Sequence, residues 1–240
     1  DKCDLDFAEK MKTKVNAAEI YLNCRYSSKK IKLPKYLSAD LAYVVGLILG
    51  DGSLAGDSSN KRGNWTIGIC FENKNHLKIY NKLIMQVFEV CPKNYLDRGC
   101  VVSVFSSRVL HWFFREYFEF YNGYKSNKIF TPQVIKQSND NLVKVAFLQG
   151  LFDSDGTFTN GRVKYGTTSQ KMAYQVQVLL NEFGINSSIS SWQKKHYHLL
   201  YVVAISARSE VQKFSRKVGF RHPNKKLLLL NFIDSFFSSS

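Results

Sequence analysis

Nowhere does the 240-residue sequence stay apolar for the ~20 residues that a bilayer span requires. It also lacks an amphipathic basic helix, so a membrane surface has little to recommend it as a partner. The five cysteines, Cys3, Cys24, Cys70, Cys91 and Cys100, are odd in number, and no two have Cys-x-x-Cys spacing. That argues against a disulfide framework and against a structural zinc site. Free thiols in a reducing intracellular compartment are expected, whether cytoplasm, nucleoid or organelle matrix. No signal peptide is visible. Acidic residues are scarce: 19 Asp and Glu stand against 34 Lys and Arg, a net charge of +15. Such an imbalance favours a polyanionic partner.

What the sequence does have is one eight-residue string, twice. Gly46-Leu47-Ile48-Leu49-Gly50-Asp51-Gly52-Ser53 returns as Gly150-Leu151-Phe152-Asp153-Ser154-Asp155-Gly156-Thr157, and Asp51 and Asp155 are 104 residues apart. Each copy follows a short apolar run, Leu41–Val45 or Val145–Leu148. Each run follows a helix start, Ser38-Ala39-Asp40 or Ser138-Asn139-Asp140, with a capping hydroxyl before a first-turn carboxylate. Gly46 and Gly50, like Gly150 and Ser154, share one helix face a turn apart. A face of small residues lets another helix backbone come close, and the simplest partner for either helix is the other. Gly52 and Gly156 are expected to end the helices at positive φ. Asp51 and Asp155 then face the negative end of a helix dipole, at a cost of about 0.3–1 kcal/mol each. A divalent cation would offset this best.

Along the chain, residues 1–36 form an extension with a helix expected over Asp6–Leu22 and a break at Ser27-Ser28-Lys29-Lys30. The first unit is 37–137 and the second 138–240. After the first motif come a polar turn (Asp57–Gly63), a half-buried strand (Asn64–Glu72), and a helix (His76–Val90) stopped by Pro92. A hairpin around Asp97-Arg98-Gly99 (Tyr95–Ser106) and an aromatic-rich helix (Arg108–Tyr121) follow. After the second motif come a hairpin around Asn160-Gly161 and a helix (Lys171–Phe183). Two strands (Ser187–Lys194, His198–Ser206), a helix ended by Gly219 and a final helix from Pro223 complete it. Each half reads helix, two strands, helix, two strands, helix, an α+β chain of two pseudo-symmetric αββαββα halves.

With its paired motifs, half-chain spacing and basic charge, the chain resembles the single-chain, two-motif LAGLIDADG homing endonucleases of the archaeal or intein-like dodecapeptide type. The resemblance covers roughly residues 37–235. It implies a four-stranded antiparallel sheet in each half, the two forming a saddle over DNA. It also implies a monomer that hydrolyses both strands of a long, nearly palindromic duplex across the minor groove, leaving 3′ overhangs. Asp51 and Asp155 would bind metal with Gly50 and Ser154 beside them, the ion being Mg2+ with Mn2+ able to substitute. The alternative is a non-cleaving nucleic-acid binder, an RNA-splicing maturase with intron RNA as partner or a DNA-binding regulator. The ends, Asp1 and Ser238-Ser239-Ser240, lack a starting Cys or Ser and a closing His-Asn. A free-standing nuclease or the excised nuclease region of an intein is therefore expected.

The first motif departs from the family string at Leu49, where the second has Asp153. The family also places a lysine near each site. Lys128 resembles one, and Lys225 the other with Lys226 as rival; the bland reading of each is a solvated surface lysine. The wet strand faces should carry DNA contacts: Lys61, Arg62, Asn64, Thr66, Arg98, Ser103, Arg162, Lys164, Thr167, Gln193 and Lys195. Asp153-Ser154-Asp155-Gly156 is no calcium loop, because Leu151 and Arg162 would fall at its first and last positions. His196 and His198 read as surface or DNA-facing residues and not as zinc ligands, and His111 reads as packing.

Overall fold

The computed structural model describes residues 21–22, 31–56, 65–121, 123, 127–193 and 198–235. Most of the helix expected over Asp6–Leu22 lies outside them. Its last two residues are not helical: β1 (Tyr21–Leu22) pairs antiparallel with β2 (Ile31–Lys32).

Two helices form the middle of the fold. In α1 (Ala39–Gly50) every residue from Leu41 to Leu49 is buried, and Ser38 Oγ caps the helix by accepting from the Leu41 N–H at 3.2 Å. A helix apolar all round has to be enclosed on all sides. Its counterpart is α5 (Asn141–Ser154). Here the cap is not the expected hydroxyl but Asp140, whose Oδ1 accepts from the Leu142 N–H at 2.8 Å, with Ser138 Oγ supporting the Asp140 N–H.

The two helices touch backbone to backbone. A Cβ built on Gly46 would lie 3.0 Å from Gly150 Cα and would strike the Phe147 carbonyl, and one built on Gly150 would lie 2.9 Å from Gly46 Cα. One turn on, a Cβ on Gly50 would strike Ser154. The pairing of 46 with 150 and of 50 with 154 makes the helices parallel and in register, so both motif acids emerge at the same end.

The chain then turns directly from helix into strand. Gly52 opens β3 (Gly52–Ala55) and Gly156 opens β7 (Gly156–Thr159). Neither glycine has positive φ, contrary to expectation. Close approach is what demands glycine: a Cβ would lie 2.6 Å from Ile48 Cα in the first turn and 2.7 Å from Phe152 Cα in the second.

Each half carries one four-stranded antiparallel sheet. The first has the order β3-β4-β6-β5, with β4 Thr66–Phe71, β5 Lys93–Asp97 and β6 Cys100–Ser106; the second has the equivalent order β7-β8-β10-β9, with β8 Arg162–Thr167, β9 Ser188–Trp192 and β10 Leu200–Ile205. Of the eight strands in these two sheets, the sequence reading missed only β3 as a strand of its own; the short pair β1 and β2 was not anticipated either. Both expected hairpin turns have two left-handed residues, Arg98-Gly99 (φ 46° and 86°) and Asn160-Gly161 (φ 50° and 69°). That is the type I′ geometry whose twist suits a tight hairpin.

Helices α2 (Lys74–Phe88) and α3 (Arg108–Phe118) belong to the first half, and α6 (Gln170–Glu182), α7 (Arg208–Lys217) and α8 (Pro223–Asp234) to the second. One short helix, α4 (Gln133–Lys136), was not anticipated and leads into α5. The expectation of free thiols is corrected for one pair: Cys70 and Cys100 are disulfide-bonded across β4 and β6, with Cα atoms 6.1 Å apart. Cys91 is free and exposed, and Cys3 and Cys24 lie outside the described residues.

Gly46→Ala and Gly150→Ala should each destabilise the protein by about 1–3 kcal/mol or more, because the added methyl meets backbone that cannot move independently. Chemical denaturation checks this; midpoints unchanged in both variants would mean that the helices are not in backbone contact.

Candidate functional site

Asp51 and Asp155 occupy the C-cap positions of α1 and α5, with nearly identical backbone angles (φ −84°, ψ −4° and 0°). Their N–H groups close the last helical turns onto Leu47 and Leu151 carbonyls, at 3.1 Å each. Both carboxylates act on the same two groups, the Lys225 ammonium and the buried Tyr165 phenol, so they share one neighbourhood.

Each acid borders its own cleft, and each cleft draws on both halves. The larger, about 690 Å³, is lined by Asp51 from α1 and by Ser154 and Asp153 from α5, together with Glu72, Arg98, His222 and Lys225. The smaller, about 440 Å³, is lined by Asp155 and Thr167 from the second half and by Gly50 and Ser53 from the first. The register of the helices explains the exchange: Asp155 Oδ2 would lie 3.2 Å from a Cβ on Gly50. The four positions expected to hold metal are therefore brought together as two cross-half pairs, Asp51 with Ser154 and Asp155 with Gly50.

The structure also distinguishes the lysines. Lys225 Nζ donates to the carbonyls of Phe152, Asp153 and Ser154 at 3.1, 2.6 and 3.1 Å, capping the C-terminus of α5 with a positive charge. Burial lowers its pKa, opposed by Asp153, Asp51, Asp155 and Glu72. Lys226 is exposed. Lys128 is exposed too, its ammonium over the Tyr121 ring at 4.5 Å, and no lysine is among the described residues lining the cleft of Asp155.

Sequence reasoning missed a polar network behind the larger cleft. Tyr43 donates to Asp153 Oδ2 at 2.7 Å, and His76 Nε2 lies 2.9 Å from the Tyr43 oxygen. With the phenol proton committed to Asp153, Nε2–H is the donor to that oxygen. The Arg221 and His222 N–H groups also donate to Asp153 Oδ2, at 3.0 and 2.9 Å. The Arg221 guanidinium spans both motif helices, pairing with Asp40 at 3.1 Å, donating to Gln149 at 2.8 Å and lying over the Tyr43 ring at 4.4 Å. The one signal available beforehand was an acid at 153 inside an apolar helix, since a buried carboxylate must find donors.

Comparison with known proteins agrees with this architecture. Residues 142–219 match the model of the LAGLIDADG-like domain. The homing endonuclease I-DmoI is similar in fold. A variant structure gives a TM-score of 0.61 at 21% identity, covering 76% of this chain and 91% of that one. Its complex with DNA and Mn gives 0.58 at 22% identity, covering 76% and 97%. The second half thus carries a LAGLIDADG-like domain, and 76% of the chain shares the I-DmoI fold.

Two curated relatives from Methanocaldococcus jannaschii match over most of this chain. They are glutamine–fructose-6-phosphate aminotransferase (26% identical over 214 residues, 86% of this chain) and replication factor C small subunit (26% over 219 residues, 85% of this chain). The chain spans only 18% and 11% of their lengths.

The donor set of the paired acids suits a hard cation. Two carboxylates and the main-chain oxygens beside them offer only oxygen, too few for a dedicated cage, which suits an ion that keeps several waters. Among the described residues no cluster of three or more His, Cys, Asp or Glu side chains could hold a metal.

Of the expected DNA-facing residues, Arg98, Arg162 and Gln193 are exposed, and Thr66 and Lys164 are partly exposed. Thr66, Arg162 and Lys164 lie on the outer sheet faces. Ser103 and Thr167 do not. Ser103 is wholly buried and donates to Asn81 of α2 at 2.7 Å, while Thr167 is buried and accepts from the Ser169 N–H. Strand parity explains both corrections: Ser103 shares its face with the buried Phe105, and Thr167 with Val163 and Tyr165. Lys61, Arg62, Asn64 and Lys195 lie outside the described residues, as do His196 and the turn over 57–63. His198 is exposed; His111 is buried against Trp65, with ring centroids 4.7 Å apart, as expected of a packing residue.

Several groups of the network have displaced protonation, His76 and Asp153 among them. Burial, with the positive charges of His222 and Lys225, pushes His76 down to about 3. Burial pushes the Asp153 carboxyl up to about 6, against the hydrogen bonds from Tyr43 and His222 and the charge of Lys225. A raised carboxyl pKa means that the folded state holds the proton more tightly than the unfolded one. Its stabilising contribution is full below the ordinary value of 3.8 and is lost as pH rises through about 6. From about pH 4 to about pH 7, wild type should therefore lose stability relative to Asp153→Asn by on the order of 2–3 kcal/mol. The His76 contribution has the opposite sign and is common to both proteins. Denaturation of the pair across that range checks this, and a pH-independent difference would contradict it.

Proposed function

We propose that this protein is a site-specific DNA endonuclease, acting as a monomer inside the cell, that hydrolyses one phosphodiester in each strand of a long, nearly palindromic duplex. The observation that carries this is the pair of cross-half clefts, each with one carboxylate at the same end of two parallel helices. A carboxylate at a helix C-terminus is unfavourable for stability alone, so its presence twice, at equivalent positions, favours a chemical use. The outer sheet faces and the +15 charge suit a polyanionic duplex. The DNA-bound I-DmoI of the same fold supports the same substrate.

The proximity of Asp51 and Asp155 matches scissile phosphates that face one another across a minor groove, which gives 3′ overhangs. Mg2+, with Mn2+ able to substitute, would be held by Asp51, Asp155 and the oxygens at Gly50 and Ser154, and would supply Lewis-acid stabilisation of phosphate and activation of water. The chain's own residues orient the rest. Lys225 places a cation beside the Asp51 cleft, where charge develops on the phosphate. Arg162 and Lys164 meet the duplex from the outer face of the second sheet.

The curated relatives support a mobile origin. Segments of similar length, in an aminotransferase and in a replication factor of unrelated chemistry, are what an element carried between host genes would leave behind.

A target is obtained by selecting bound duplexes from a randomised library in Ca2+, in which binding without cutting is expected. Mg2+ should then start double-strand cleavage and chelator should stop it. Asp51→Asn and Asp155→Asn should each abolish or greatly slow cutting while retaining binding, because each removes negative charge beside phosphate. Log affinity should fall with log salt by about 0.9 per phosphate neutralised. Cutting at the wild-type rate by either variant would make that Asp a helix end only. Selective binding with no cutting in any metal would favour the non-cleaving binder.

A further inference from the structure

We propose that Val102 and Val202 are specificity-determining residues that pack on thymine C5-methyl groups at equivalent positions in the two half-sites of the target. This rests on the endonuclease reading, whose substrate it narrows.

The registers of the two sheets put these valines in one pseudo-symmetric place. Gly52 of β3 lies opposite Ile69, which lies opposite Ser103 of β6. Gly156 of β7 lies opposite Tyr165, which lies opposite Val203 of β10. Counted from the motif glycines, Ser103 and Val203 are therefore equivalent, and so are the residues just before them, Val102 and Val202. Ser103 and Val203 are buried on the side of the helices, where α2 packs on β4 and β6 and α6 packs on β8 and β10. Alternation along a strand turns Val102 and Val202 to the opposite, outer face. Both are partly exposed there. Val101 and Tyr201, their neighbours in sequence, return to the inner side and pack on the core.

The chemistry of the outer faces names the ligand. Arg162 and Lys164 share the face of Val202, and on the first sheet the exposed Lys93 stands opposite Val104. Such cations meet the phosphates that border a groove. A valine among them has no side-chain atom that gives or takes a hydrogen bond, so it cannot read the polar code of a base edge. The thymine C5-methyl is the apolar group of the major groove, and an apolar side chain complements it. Gly166 lies opposite Val202, and a Cβ built on it would meet Leu200 Cδ1 at 3.8 Å, so the surface beside this valine is low enough to admit a base edge. Beside Val102 stand Cys70 and the exposed Tyr95, which extend its apolar surface. Because the valines occupy equivalent places, the two thymines lie at equal distances from the centre of the target.

The test uses the full chain and the duplex selected in Ca2+, with each thymine replaced in turn by deoxyuridine, which lacks the C5-methyl alone. Affinity is read in Ca2+ at fixed salt. A pair of substitutions, one in each half-site and equally far from the centre, should each weaken wild-type binding about fourfold, the factor for ~0.8 kcal/mol per buried methylene-sized group. Val102→Ala should lose the distinction between thymine and uracil in one half-site and keep it in the other, and Val202→Ala should do the reverse. That crossed pattern separates a direct contact from general loosening, which would leave both distinctions in place. Should a variant fail to fold, the wild-type scan decides alone. A selected target without such a thymine pair, deoxyuridine tolerated at every position, or discrimination unchanged in both folded variants would overturn the proposal. Mg2+ cleavage of the same duplex, read in parallel, shows whether the endonuclease reading stands without it. A chain that selects no duplex would overturn both.

Discussion

Everything in this molecule depends on two backbones touching. Gly46 and Gly150 remove the side chains that would hold α1 and α5 apart, and Gly50 beside Ser154 extends the contact by one turn. Helices held at side-chain distance would be 8–10 Å apart or more and free to settle at various crossing angles. Contact at matched glycines removes that freedom and sets the register. From it follow the parallel direction of the helices, the common end of the two acids, and the exchange of neighbours by which each cleft is built from both halves. Gly52 and Gly156 continue the same logic, because only a residue without a side chain lets the chain leave each helix against its own last turn and enter a sheet.

The enclosing layers make that contact stable. Nine consecutive buried residues in α1 leave it no face for water, so the helices and sheets of both halves must cover it. Burial then creates the electrostatic problem that the polar network solves. Asp153 sits inside α5 where a charge is costly, and it is held by a phenol, two backbone N–H groups and the nearby Lys225. Those donors come from α1 and from the connection before α8, so satisfying one carboxylate also ties the halves together. The first motif has Leu49 at that position and so buries no carboxylate there.

The repeat, most of the strands and the helix sequence were legible because they are local: period-2 and period-3.6 patterns, Asn-Gly and Arg-Gly turns, and two copies of one string; the four-stranded sheets were expected only from the family resemblance. The paired acids could be named because the string places one at a helix end in each half. The network could not be read, because Asp153 meets Tyr43 across 110 residues and Arg221 across 68, and no local pattern encodes those pairings. The errors at Ser103 and Thr167 have another cause. Polarity was allowed to outweigh strand parity, and Phe105 and Tyr165 on the same faces already pointed inward. Lys225 stood apart from Lys226 only once the His222 cap fixed which residue of the first turn of α8 faces α5.

The central claim is that each metal-holding site is shared between the two halves. A crystal of the protein with its selected duplex and Mn2+, with the metal located by anomalous scattering, tests it most directly. The account predicts Mn2+ held by Asp51 together with the main chain at Ser154, and by Asp155 together with the main chain at Gly50, every ion having ligands from both α1 and α5. Ions bound within one half alone, or only at positions away from these four residues, would contradict it.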